Sequence, residues 1–306
     1  MGLAVVCPGQ GTHHAGMFGL ALRDGAAAPY VERACAFLRI DARRLDELLV
    51  APMLEDRLAQ PLFASLGYAV WASLAPRAPV PLVFAGYSLG ELVACACAGA
   101  CGFDTLLALA AERARVMDAA VGAHCGMVSV SGITLKTMKG IAAETGTFIA
   151  IVNGDSHFVL GGRAHALDTL VARMGAQEGV RVHVLPVAIP SHTPLMAGAS
   201  AGFERILRGS GLGAPSAPVL SSVENRVLYR REETVRALAA HLSRPLQWAG
   251  CVQTMAEMGA DLFLEIGPGN TLVKIAQRLL PGCTAHALEE FHSLDGVAAW
   301  LCTRCA

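Results

Sequence analysis

Three short, predominantly apolar runs each end abruptly in a glycine-containing turn, and they constrain the fold more than any other feature. Leu3-Ala-Val-Val-Cys7 runs into Pro8-Gly9-Gln10-Gly11. Pro81-Leu-Val-Phe-Ala85 runs into Gly86-Tyr87-Ser88-Leu89-Gly90, and Leu262–Ile266 into Gly267-Pro268-Gly269. Continuous apolar runs of this length read as strands covered on both faces, the habit of parallel sheets sandwiched between helices. Helical segments are expected around Val31–Leu38, Pro61–Leu74, from Leu89 toward Gly99, and from an N-cap at Asp104 to about Val121. Pro218–Ser221 reads as a further apolar strand. The expected class is α/β.

From Gly122 the texture changes. Met127–Ser131, Thr147–Val152, Phe158–Gly161 and Arg181–Val187 read as strands, with helices at Leu135–Glu144 and His165–Gly175 between them. That compact alternation is the size of a small inserted unit, so the expected division is a core of residues 1–122 and 190–306 with a subdomain of residues 123–189.

Composition excludes several classes of function. With 54% hydrophobic and 16% charged residues the chain can bury an extensive core, and a formal net charge of -1 gives no basic surface for nucleic acid. No apolar run is long enough to span a membrane, and the N-terminus lacks the basic start of a signal peptide. Val6 stands where a myristoylation motif requires Ser or Thr. A cytoplasmic protein is expected. Cys7, Cys35, Cys95, Cys97 and Cys101 lie in apolar segments and read as small hydrophobes. Cys302 and Cys305 form a lone C-x-x-C without the further ligands a zinc site needs, so no metal is expected.

Gly86-x-Ser88-x-Gly90 is weak evidence alone in a chain with 32 glycines, but it sits between a strand and a helix. That is the setting of a nucleophile elbow, where a serine projects from a sharp turn toward a helix N-terminus. A serine nucleophile needs a base. His192 lies in the proline-bracketed loop Ile189-Pro190-Ser191-His192-Thr193-Pro194, a place where a catalytic or an ordinary surface histidine fits equally. His157, His165, His183 and His241 fall in segments read as strand or helix, with no site signal beside them. Arg113 interrupts the apolar stripe Leu106, Leu109, Ala110, Val116, Met117 and Ala120 of its helix. An inward arginine requires an anion, either a structural acid or a substrate carboxylate gripped by the guanidinium, and spacing leaves both open.

Taken together and in order, these segments resemble a known family. Pro8-Gly-Gln-Gly11, Gln60-Pro61, Gly86-Tyr-Ser-Leu-Gly-Glu91, Glu112-Arg-Ala-Arg-Val-Met117, Asn153, Pro190-Ser-His192, Pro245-Leu-Gln-Trp248 and Glu265-Ile-Gly-Pro-Gly269 match the malonyl-CoA:acyl-carrier-protein transacylases and the acyltransferase domains of polyketide and fatty acid synthases. The resemblance covers essentially the whole chain. It implies an α/β-hydrolase-like core with an inserted ferredoxin-like subdomain, and a Ser88–His192 dyad. It further implies an oxyanion hole from the N–H groups of Gln10 and Leu89, the carbonyl of Gln247 orienting His192, and Arg113 pairing with the malonyl carboxylate. Tyr87, Gln60, Asn153 and Ser191 would line the pocket.

Malonyl-CoA would be the substrate, an acyl carrier protein with a phosphopantetheine-type thiol the partner, and no cofactor permanently bound. The family usually has His before the serine, whereas Tyr87 stands here. Tyr in that place is associated with the epsilon subunit of malonate decarboxylase, which loads a carrier within its own complex, and the reading leans to that branch. Two readings of other kinds stand beside it. One is an esterase of α/β-hydrolase type, which would need an acid between Ser and a late His. The other is an inactive scaffold subunit.

Overall fold

The computed structural model describes residues 1–51, 54–120 and 124–305, the last without its side chain. The expected boundary at residues 122/123 and the end of the helix near Val121 fall outside the described residues, as does the side chain of Cys305 in the C-x-x-C. The strands are β1 (Gly2–Cys7), β2 (Val83–Gly86), β3 (Cys125–Ser131), β4 (Phe148–Gly154), β5 (His157–Arg163), β6 (Arg181–Val184), β7 (Val219–Leu220), β8 (Val227–Leu228), β9 (Ala260–Glu265) and β10 (Thr284–Ala287).

Six strands form one sheet in the order β10-β9-β1-β2-β7-β8, parallel throughout except for the β7–β8 pair. β1 lies at its centre, with Ala4, Val5 and Val6 opposite Val83, Phe84 and Ala85 of β2. Its alternate residues serve two cores. Leu3, Val5 and Cys7 join the cluster of helices Asp56–Leu74 and Leu89–Cys97, while Ala4 and Val6 join that of helices Trp248–Glu257 and Thr271–Leu279. Both faces are buried, which is why the strand reads as an unbroken apolar run.

β3 to β6 form a separate antiparallel sheet in the order β4-β5-β3-β6, interleaved with helices Leu135–Thr145 and Ala164–Gly175. It has its own core around Val130, Met138, Phe158 and Leu170. Ile151 of β4 bridges to Leu246, tying this sheet to the larger one's surroundings.

Several boundaries differ from expectation. Asp104 is not the cap of the long helix but lies in the first turn of Phe103–Ala120, where an acid still complements the helix dipole. The helix expected from Pro61 starts at Asp56 and carries Pro61 inside it. β6 stops at Val184, ahead of Pro186. The short strands β8 and β10 were not anticipated. No helix of the described residues is long and apolar enough to cross a membrane.

Candidate active site

β2 ends at Gly86, and the chain turns through Tyr87 and Ser88 into helix Leu89–Cys97. Ser88 has φ 56°, ψ -120°, a conformation costly for any residue with a side chain. The two glycines are there because nothing larger fits. A Cβ on Gly86 would lie 2.0 Å from the Gly90 carbonyl carbon, and one on Gly90 would lie 1.9 Å from the Cys7 carbonyl oxygen. The turn after β1 packs on the same elbow, since a Cβ on Gly9 would meet Ser88 Cβ at 3.1 Å. Gln10 is therefore beside the serine. Leu89, as the first residue of its helix, has an N–H with no intrahelical acceptor.

His192 arrives from the loop after the small sheet. Its Nε2 is 2.9 Å from Ser88 Oγ, and its Nδ1 is 2.6 Å from the carbonyl oxygen of His241. The expected partner, Gln247, is not there. Gln247 is an exposed N-cap whose carbonyl accepts from Cys251 N at 2.9 Å, so it is consumed by the first bond of helix Trp248–Glu257. His241, six residues earlier at the end of helix Arg231–Ala240, presents its carbonyl instead. Burial, then the charges of His241 and Arg113, hold His192 well below the usual histidine value of 6.5, against the raising effect of its bond to the His241 carbonyl. The ring is thus neutral at neutral pH and able to accept the serine proton.

Arg113 reaches the site from helix Phe103–Ala120 and is 2% exposed. Its guanidinium donates to Gln60 Oε1 at 2.8 Å and lies 3.5 Å from Ser88 Oγ. Among the described residues it has no salt-bridge partner. Burial brings it down to about 10, partly offset by the more distant Asp56 and Glu91 carboxylates. Asp56 in turn accepts from Gln10 Nε2 at 2.8 Å, so Gln10, Asp56, Gln60 and Arg113 form one wall of the site.

Tyr87 precedes Ser88 in the turn and packs toward Trp248. Its hydroxyl accepts from Asn153 Nδ2 at 3.3 Å and its ring meets Trp248 edge-on at 5.5 Å. Burial pushes the phenol up to about 12. Asn153 Oδ1 and Trp248 Nε1 are buried without partners among the described residues. Ser191 is half-buried beside His192, its N–H donating to the Ile189 carbonyl at 2.8 Å.

Three neighbours were missed in the sequence. Glu91, His241 and Ser222 form a buried polar cluster behind His192. The available signal was Glu91 itself, the single charged residue in the helix Leu89–Cys97.

Residues 4–287 match the family described as acyl transferase domain. The chain is similar to the malonyl CoA-acyl carrier protein transacylase of Escherichia coli (strain K12), at 33% identity over 94% of this chain and 96% of the relative. It is similar in structure to the malonyl-CoA:acyl carrier protein transacylase of Xanthomonas oryzae pv. oryzae, with a TM-score of 0.88 and 30% identity over 98% of each chain. A malonyl-transacylase solved in complex with a type II polyketide acyl-carrier protein aligns with a TM-score of 0.89 and 26% identity over 98% of this chain and 99% of that one.

Proposed function

Since the chain belongs to the acyl transferase family and is an acyltransferase, we propose that it moves a malonyl group from malonyl-CoA to the thiol of an acyl carrier protein through an ester on Ser88. The observation that carries the reading is Ser88 Oγ flanked by His192 Nε2 at 2.9 Å and by the buried guanidinium of Arg113 at 3.5 Å, which has no carboxylate partner among the described residues. A base and a carboxylate receptor on either side of one hydroxyl suit an acyl group that itself carries a carboxylate.

In this mechanism Ser88 Oγ attacks the thioester carbonyl while His192 Nε2 takes the hydroxyl proton. The oxyanion is stabilised by the N–H groups of Leu89 and Gln10, and loss of such a donor costs roughly two to three orders of magnitude in rate. Collapse breaks the C–S bond, and coenzyme A leaves as the thiol with the proton from His192. The carrier thiol then gives its proton to His192 and attacks the malonyl-serine ester, releasing Ser88 Oγ, which recovers that proton. The His241 carbonyl steadies the imidazolium formed in each half. Arg113 holds the malonyl carboxylate, which keeps the ester in one orientation between the two half-reactions. No resident cofactor is required by these steps.

We read residues 1–122 and 190–306 as an α/β-hydrolase-like catalytic core and residues 123–189 as a ferredoxin-like subdomain. The βαββαβ succession and the strand order β4-β5-β3-β6 support the second name. The partner is a carrier protein with a phosphopantetheine-type thiol, and the setting is cytoplasmic. The relatives bear the transacylase name, so fatty-acid or polyketide malonyl transfer is preferred over the malonate decarboxylase epsilon subunit. Tyr87 alone favours that second reading and its companion subunits as partners.

The test is intact mass after brief exposure to malonyl-CoA. The wild type gains about 86 Da and Ser88→Ala gains nothing. A folded wild type that gains no mass refutes the proposal.

A further inference from the structure

His192 is a non-glycine residue with φ 63°, in the left-handed region that a side chain disfavours. Two consecutive carbonyls hold it there. Its N–H donates to the Leu242 carbonyl at 2.8 Å, and its ring Nδ1 lies 2.6 Å from the His241 carbonyl. Both carbonyls belong to the end of helix Arg231–Ala240, where unsatisfied oxygens carry the negative end of the helix dipole. In a three-residue hydrolase arrangement a carboxylate orients the base and stabilises its imidazolium. Here a helix end does both.

A helix end must be fixed in place to do so. The His241 side chain turns away from His192, placing its Nε2 2.8 Å from Ser222 Oγ and 3.2 Å from Glu91 Oε2. Ser222 donates to the same Glu91 oxygen twice, from its N–H at 2.7 Å and its hydroxyl at 2.6 Å. Glu91, Ser222 and His241 are all essentially inaccessible to solvent. Glu91 follows Ser88 by one helical turn on the same helix. A buried carboxylate is expensive, and this one leaves its second oxygen, Oε1, without a partner among the described residues. The chemistry assigned to Ser88, His192 and Arg113 makes no use of it.

We propose that Glu91 is a positioning residue for His192, acting through Ser222 and the His241 side chain to lock the 241–242 carbonyls onto the base. The nucleophile and the clamp of its base are thereby referenced to one rigid element, the helix Leu89–Cys97. The inference rests on the Ser88–His192 reading above and deepens it.

The test uses His241→Ala, which keeps the main-chain carbonyl and removes only the anchor, with His241→Gln, Glu91→Ala, Ser222→Ala and the double variant E91A/H241A. Three quantities are read: the rate constant of Ser88 malonylation at saturating malonyl-CoA, the half-saturating concentration, and the downfield proton signal of His192 Nδ1–H. Misplacement of the base slows acylation roughly ten- to a hundredfold in H241A, with half-saturation within about twofold because Arg113 is untouched. The Nδ1–H signal weakens in parallel. H241Q, whose amide can donate to Glu91, recovers most of the rate. The double variant is no slower than the slower single, because both break one linkage.

A folded H241A with wild-type rate and an unchanged Nδ1–H signal overturns the proposal, as does full additivity in the double variant. If the Glu91 and His241 alanines do not fold, Ser222→Ala, which removes one hydroxyl, carries the same three readouts and the same refutation. Failure of the wild type to acylate at all would instead refute the transacylase reading, so the two failures are distinguishable.

Discussion

Replacing Arg113 with Met tests the proposed carboxylate recognition apart from folding, because the guanidinium is buried beside Ser88 with donors left over from its contacts with Gln60 and Ser88. Two of its donors are engaged, by Gln60 Oε1 at 2.8 Å and more loosely by Ser88 Oγ at 3.5 Å. A malonyl carboxylate would take at least two charge-assisted bonds from the remainder, each contributing about 1.5–3 kcal/mol. Their loss is about 3–6 kcal/mol, or roughly two to four orders of magnitude in malonylation rate. An acetyl group makes no such bonds, so its transfer should change by less than about tenfold, and the preference for malonyl collapses. Stability should move little. Exchanging a buried charge without a counter-ion for an apolar chain of similar length removes a desolvation cost and so favours the variant. Orphaning Gln60 Oε1 opposes this by about 1–3 kcal/mol. The assay is time-resolved intact mass with malonyl-CoA and acetyl-CoA, alongside thermal unfolding. A folded R113M that keeps the wild-type malonyl-to-acetyl ratio would refute the assignment of Arg113 as the carboxylate receptor.

Three further outcomes are expected. Burial holds His192 below 6.5, so the acid limb of Ser88 acylation should lie below pH 6.5. The unfolded chain then takes up a proton that the folded one resists, and stability falls as pH drops through 6.5. His192→Gln should remove that component, and thermal unfolding from pH 8 to 5 measures it. Glu265, with Oε2 bonded to the Leu272 and Val273 N–H groups but Oε1 unpartnered among the described residues, is raised to about 8, chiefly by burial. A raised carboxyl favours the fold most below its unfolded value of 4.5 and progressively less as pH rises to about 8. Glu265→Gln should therefore unfold at a higher temperature than wild type at pH 8, with the advantage fading toward pH 5; equal differences at both pH values would contradict this. Tyr87→Phe leaves Asn153 Nδ2 without its acceptor and should cost about 0.5–1.5 kcal/mol, readable as a lower midpoint in urea. An unchanged midpoint would mean that the 3.3 Å bond carries no stability.

Much of this protein is written locally. The apolar run Leu3–Cys7, the glycines at 86 and 90, and the helical spacing around Arg113 each act through near neighbours in the chain. The periodicities of strand and helix and the steric demands of an elbow survive without knowledge of the rest. The inward direction of Arg113 and the resemblance carried by Ser88 and His192 were legible for the same reason. β10, with the sequence Thr-Ala-His-Ala, was not, since its strand state comes from pairing with β9 rather than from its own residues.

What orients His192 depended on the assembled structure. A main-chain carbonyl has no side-chain signature, so Gln247 and His241 are indistinguishable as candidates on paper. The helix that begins at Trp248 consumes the first carbonyl, and the helix that ends at Ala240 leaves the second free. Glu91 announces itself as an acid in an apolar helix, but its partners Ser222 and His241 lie 131 and 150 positions away. Local sequence specifies which groups need a partner. Only closure of the chain over such distances decides which partner each one meets.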